Sequence, residues 1–157
     1  MYTLDKSKFI PSLEGDPMIV TPVLHYHGQC EEAMALYGQA FGLNTAFFQR
    51  YRDADARDWN VTMTEEQRNG IYHAEGHIGD QRFMMADEFD QPFQPGTANF
   101  LTLTFDTAEE VRHAFHLLEV EGTVIYPLRS TTYSSCMGTV KDKFGFRWGL
   151  MTEQTEN

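Results

Sequence analysis

"CEEAMALYGQAFG", Cys30–Gly42, decides the fold, because its pattern returns further along the chain in "AEEVRHAFHLLEVEG", Ala108–Gly122. Glu31-Glu32-Ala33 aligns with Glu109-Glu110-Val111 at an offset of 78 residues, and Leu36-Tyr37 aligns with Ala114-Phe115. Each copy carries an apolar stripe at helical spacing, the mark of a helix with one buried face. The first stripe is Ala33, Leu36, Tyr37, Ala40 and Phe41; the second is Val111, Ala114, Phe115 and Leu118. Thr107 and Glu110 form a capping box at the start of the second helix. Glycine stops follow both helices, at Gly42 and near Gly122.

Working outward, a strand-like segment precedes each helix: "IVTPVLHYH" (19–27) before the first and "NFLTLTFD" (99–106) before the second. Three more follow each one. These are "NTAFFQRY", "IYHAEGHIG" and "QRFMMADE" after the first, then "TVIYPL", "CMGTVKD" and "GFRWGLMT" after the second. Turn signals separate them at Gly79-Asp80 and at Asp142-Lys143-Phe144-Gly145. The reading is βαβββ, twice, in an α+β layer architecture. One insertion breaks the symmetry. The polar loop 52–70, "RDADARDWNVTMTEEQRNG", is long enough to be either a lid or a plain surface connection.

Composition narrows the function. The chain has 157 residues, a length for one domain, and 41% of them are hydrophobic, enough for a core. Twelve Lys and Arg against 23 Asp and Glu give a net charge of −11. Such a surface repels phosphate backbones, so no nucleic-acid partner is expected. No apolar run approaches the roughly 18 residues of a membrane span, and no basic amphipathic helix is seen. The first residues, "MYTLDKSKFIPSLEGDP", lack the apolar centre of a signal peptide, and Cys30 and Cys136 are too few for a disulfide framework. A cytoplasmic location is expected.

Chemistry-bearing residues are sparse. In "IYHAEGHIG", His73, Glu75 and His77 fall on one face of a strand. They are either metal-ligand vocabulary or a hydrogen-bonded polar strip, and three ligands in a straight row do not converge easily on one ion. Cys30 sits near a helix N-terminus, which can lower a thiol pKa. "STTYSSC", Ser130–Cys136, reads as a loop and strand edge. His113 and His116 read as solvated. There is no glycine-rich phosphate loop and no nucleotide-type glycine motif for a methyl donor.

With "TPVLHYHGQCEEAMALYGQAFG" (21–42), "HAEGHIGDQRFMMADE" (73–88) and "GTVKDKFGFRWGLM" (138–151) together, the chain resembles the PhnB-like branch of the vicinal oxygen chelate superfamily. That superfamily includes glyoxalase I, extradiol dioxygenases and bleomycin-resistance proteins. The resemblance implies a single domain at 19–152, with module 1 at about 19–90, module 2 at about 97–152, an extension at 1–18 and a tail at 153–157. It also implies sheets curled around a cavity, helices outside, and a homodimer. Metal-dependent relatives place ligands at positions that here fall on Thr21, Phe83 or Met85, Phe100 and Gly149, none a useful set for a divalent cation. No metal and no cofactor are therefore expected. Alternation from Thr21 turns Val23 and His25 to the cavity, and alternation from Gly149 turns Arg147 and Met151 there. The expected ligand-binding residues are His25, Arg147, Phe83, Met85, Asp87, Phe100 and Thr102, with Met84 the alternative to Met85 as the methionine wall and Trp148 among the aromatic walls. Asp87 or an anionic ligand is the expected partner of Arg147. The expected function is small-molecule binding. The alternative is a metal-dependent lyase, isomerase or dioxygenase with a displaced site around His73, Glu75, His77 and His25.

Overall fold

A computed structural model describes residues 18–59 and 62–156. Apart from Met18, the expected N-terminal extension lies outside the described residues. In chain order the elements are β1 (Val23–Tyr26), α1 (Cys30–Phe41), β2 (Asn44–Arg50), α2 (Glu65–Arg68), β3 (Ile71–Ile78), β4 (Gln81–Asp87), β5 (Leu101–Phe105), α3 (Ala108–Glu119), β6 (Thr123–Thr131), β7 (Ser134–Lys141) and β8 (Arg147–Thr152). Two four-stranded sheets result, ordered β1-β4-β3-β2 and β5-β8-β7-β6. The second order is the first repeated. In each sheet the module's first and last strands pair in parallel, and the remaining neighbours pair antiparallel. The sheets are not joined into a barrel.

The two helices fold as their stripes require. α1 buries Cys30, Ala33, Tyr37 and Ala40; α3 buries Val111, Ala114, Phe115 and Leu118. Thr107 and Glu110 cap α3 reciprocally. α1 is capped at a distance instead. Its N-cap Gln29 makes no side-chain bond, and the Asp87 carboxylate from the end of β4 accepts the N–H groups of Gly28 (2.8 Å) and Cys30 (3.0 Å). Asp87 also accepts the N–H of Ile71 at 2.8 Å. α1 ends on Gly42, whose φ of 73° closes a left-handed cap.

Both helices touch each other, and one apolar core joins the modules. Each sheet therefore has one face under helices and one face open. On β4 the buried residues are Phe83, Met85 and Asp87; on β1 they are Leu24 and Tyr26. Trp148 of β8 is 1% exposed and its ring meets Tyr37 and Phe41 of α1. Side-chain burial on this scale contributes about 1.5–3 kcal/mol apiece.

Two local readings change. The insertion is not featureless: a turn of 3-10 helix at Tyr51–Asp53 and α2, with a capping box between Thr64 and Gln67, structure it. "STTYSSC" is a β-hairpin, with Thr131 paired to Ser134 across the β6–β7 turn. No helix among the described residues is long and apolar enough to cross a membrane.

Candidate functional site: the open sheet faces

Register lays out what each open face presents. Across the first sheet one row reads Val23, Met84, Glu75, Phe47. Across the second, one row reads Thr102, Gly149, Thr139, Tyr126 and another reads Thr104, Met151, Met137, Arg129. Pleating puts His25, Arg82, His73 and His77 with the first set, and Arg147 and Phe100 with the second.

This placement corrects part of the expected site. Phe83 and Met85 lie on the helix side, 4% and 3% exposed, and Met84, with Arg82 and Ala86, is the part of β4 turned to the open face, where Met85 and Asp87 only border the groove. Trp148 is likewise core. Asp87 is 2% exposed and saturated by three backbone N–H groups, so it is not the partner of Arg147. Arg147 donates from one terminal nitrogen to the Thr97 carbonyl at 2.5 Å. His25, Phe100, Thr102 and Arg147 do lie on the open side. His25 and Arg147 nevertheless sit apart, in different grooves.

Three grooves occupy these faces. One of about 440 Å³ on the first sheet is lined by His25, Gln49, Tyr72, His73, Met84 and Glu88. One of about 340 Å³ at the seam between β1 and β5 is lined by Val23, Asn99, Phe100, Phe146 and Arg147. One of about 430 Å³ on the second sheet is lined by Phe100, Thr102, Tyr126, Tyr133, Met137 and Met151. Phe100 is the wall that the last two share. Sequence alternation does not point to Tyr126 and Arg129, because Pro127 and three register shifts blur the phase of β6; Tyr133, in the β6–β7 turn, and Met137, on β7, lie beside them.

The His73, Glu75, His77 row is a polar strip. His73 Nε2 lies 2.9 Å from Glu75 Oε1, and Arg82 bonds the same carboxylate from β4 at 2.8 and 3.1 Å. The His73 hydrogen bond, then the Arg82 guanidinium, hold the Glu75 carboxyl below the usual range. Among the described residues no group of three or more His, Cys, Asp or Glu could hold a metal ion. The positions that carry metal ligands in metal-dependent relatives do not fit one either. Thr21 offers a lone hydroxyl, Met84 takes the inward place on β4, and the Phe100 ring lies against Gly149.

Cys30 is not an activated thiol. Burial first, then the Asp87 and Glu31 charges, push its pKa up, outweighing the helix terminus. His113 is exposed but bonds the Gln39 carbonyl at 3.1 Å, tying α3 to α1.

Known proteins share this arrangement. A family model described as 3-demethylubiquinone-9 3-methyltransferase matches residues 18–151. Protein YjdN of Escherichia coli (strain K12) is 26% identical over 138 residues, covering 83% of this chain and 92% of that protein. A solved structure from Bacillus cereus, a putative 3-demethylubiquinone-9 3-methyltransferase and PhnB protein, superposes with a TM-score of 0.68 at 30% identity, over 86% of this chain and 99% of that one. A glyoxylase/bleomycin resistance protein/dioxygenase domain from Frankia sp. EAN1pec shares the fold at a TM-score of 0.60 and 11% identity, over 91% of this chain and all of that one. Repeated modules, family model and solved relatives agree, and the chain belongs to the family described as 3-demethylubiquinone-9 3-methyltransferase, the PhnB-like branch of the vicinal oxygen chelate superfamily.

Proposed function

We propose that this protein binds a small organic molecule on its open sheet faces, as a cytoplasmic homodimer, without a resident metal. The observation that carries the reading is the apolar content of those faces. Phe47, Phe100, Tyr126 and Tyr133 are 52%, 57%, 64% and 55% exposed, on surfaces that also hold grooves of ligand size. Exposed apolar patches of this kind mark binding or association surfaces, and grooves of roughly 300–1,000 Å³ suit small ligands. A second chain laid over the open faces would cover the aromatic residues and enclose the grooves.

Metal independence is supported by the residues at the ligand positions, which cannot supply three donors. Neither strand–helix turn, His27-Gly28-Gln29 or Asp106-Thr107, has the glycine-rich form that seats a nucleotide-type methyl donor, so methyl transfer stays outside this reading. The test is a thermal-shift screen of a metabolite and antibiotic library, run with and without chelator. A compound that stabilises the protein equally in both supports the proposal. Stabilisation only after addition of a divalent metal overturns metal independence, and no stabiliser in either condition counts against small-molecule binding.

A further inference from the structure

We propose that the ligand is a flat aromatic carboxylate, its acid group held by Arg147 in the seam groove and its ring laid against Phe100. This rests on the small-molecule reading above and narrows it to a chemical class.

Three observations converge on that class. The first is the state of the Arg147 guanidinium. The chain carries 23 acidic residues against 12 basic ones, and in the structure Arg50, Arg57, Arg82 and Lys143 each meet a carboxylate. Arg52, Arg68, Arg112, Arg129 and Lys141 meet none among the described residues, and neither does Arg147, which differs from them in lying half-buried in the wall of the seam groove. Its bond to the Thr97 carbonyl uses one of five donors. The rest of its planar fork is left for a ligand, and that fork matches the two oxygens of a carboxylate. A partly desolvated cation gains most from a counter-charge.

The second observation is the Phe100 platform. A Cβ added at Gly149 would lie 3.3 Å and 3.4 Å from two Phe100 ring carbons. The ring therefore rests against the glycine, with 57% of the residue still exposed. An aromatic ring backed by sheet offers a rigid apolar face, and offset stacking contributes about 0.5–1.5 kcal/mol beyond the area it buries.

The third is the shape and lining of the seam. Phe100 and Arg147 line the same groove of about 340 Å³, whose other walls include Val23, Pro22, Pro95 and Phe146. These walls suit an apolar body, and apart from Arg147 and the Asn99 amide they offer it few polar side chains. A thin, flat molecule with one anionic end fits that distribution. A sugar or a polyamine does not, since the first needs many hydrogen-bonding side chains and the second needs carboxylates.

The test compares 1-naphthoate with its neutral isostere 1-naphthamide, by titration calorimetry on the full chain. The expected result on the unaltered protein is naphthoate binding about tenfold or more tighter than naphthamide. Arg147→Met should abolish that preference, and Arg147→Lys should retain part of it, since charge survives but the fork does not. Phe100→Ala should weaken both ligands by similar factors. Arg129→Met, an arginine of the neighbouring groove, should leave the preference intact. Equal affinity for the two probes on unaltered protein overturns the proposal. So does a preference that survives Arg147→Met or disappears with Arg129→Met. If Arg147→Met fails to fold, the probe pair on unaltered protein and the Arg147→Lys variant decide. A library compound that stabilises the protein while naphthoate shows no advantage overturns this ligand class alone. Absence of any stabiliser overturns the broader reading with it.

Discussion

The hydroxyl of Tyr37 donates to Oδ2 of Asp142 at 2.5 Å, joining a helix of the first module to a turn of the second across 105 residues of chain. Asp142 gathers three further donors: Trp148 Nε1 at 2.8 Å on the same oxygen, and the Phe144 and Phe146 backbone N–H groups at 3.0 and 2.9 Å on the other. Tyr26 extends the chain by donating to Tyr37 at 3.1 Å. Lys143, the next residue, pairs with Glu32 of α1 and with Glu121. One buried carboxylate thus organises the contact between the two repeats.

Replacing Asp142 should accordingly cost more than replacing any residue of the polar strip. Asp142→Asn keeps the size but turns an NH₂ group toward two donors, whichever way the amide is set. Leaving buried donors unpaired costs about 1–3 kcal/mol each, so a loss of about 2–4 kcal/mol is expected, and about 1–2 kcal/mol for Tyr37→Phe. Denaturant melts measure both. A loss for Asp142→Asn no larger than that for Glu75→Gln would show that the network does not hold the modules together.

The acid dependence of these two carboxylates should have opposite sign. Burial pushes Asp142 up even against its hydrogen bonds. A carboxyl whose folded pKa exceeds its unfolded one binds its proton more tightly in the folded state, so it adds stability as pH falls and loses it as pH rises through the folded value. Glu75 is shifted down, chiefly by His73. Its contribution is present above the unfolded pKa and is lost as pH falls through the folded one. Between about pH 7 and pH 3, the melting-temperature gap between unaltered protein and Asp142→Asn should widen on acidification, while the gap to Glu75→Gln should shrink. Parallel curves would contradict both assignments.

What the sequence made legible follows from period. Both helices were readable because 3.6-residue stripes repeat at one offset, and β1 showed its phase by alternating Val23 and His25 against Leu24 and Tyr26. On β4 the phase was lost. "FMMAD" is apolar on both faces, so alternation gives no parity, and a one-residue error exchanges the two faces. A reading that turns Phe83 and Met85 to the cavity is therefore one residue out of phase, and Met84 holds that place. Asp142 read only as a turn residue, because its partners Tyr37 and Tyr26 lie more than a hundred positions away and no local pattern marks a long-range hydrogen bond.

The open faces should make the protein a dimer of twice the 18.1 kDa chain mass. Light scattering after size-exclusion chromatography measures it. Tyr126→Glu, on a face rather than in the core, should release folded monomer, since a carboxylate placed in a buried apolar contact goes unpaired. A monomer of unaltered protein across micromolar concentrations would remove the second chain from the proposal.

Gly149 and Gly138 offer a sharper check on which face is which. Both are buried within adjacent strands of one sheet, and both would become crowded by a methyl group. At Gly138 an added Cβ would meet the buried Phe115 ring at 2.9 Å and the Tyr126 carbonyl at 3.1 Å. Neither can yield, since one is packed core and the other is backbone, so Gly138→Ala should cost about 1–3 kcal/mol. At Gly149 the added Cβ would meet Thr102 Oγ1 at 2.8 Å and the Phe100 ring at 3.3 Å. Those are side chains on the open face and can rotate away, so Gly149→Ala should cost less than about 1 kcal/mol. Its price is local: the Phe100 ring lifts from the sheet and the two grooves it divides change shape. Gly149→Ala should then melt close to unaltered protein yet bind naphthoate as weakly as Phe100→Ala, while Gly138→Ala should melt early and keep the ligand below its transition. The reverse pattern would put the ligand under the helices, on the face where Phe83, Met85 and Trp148 are packed.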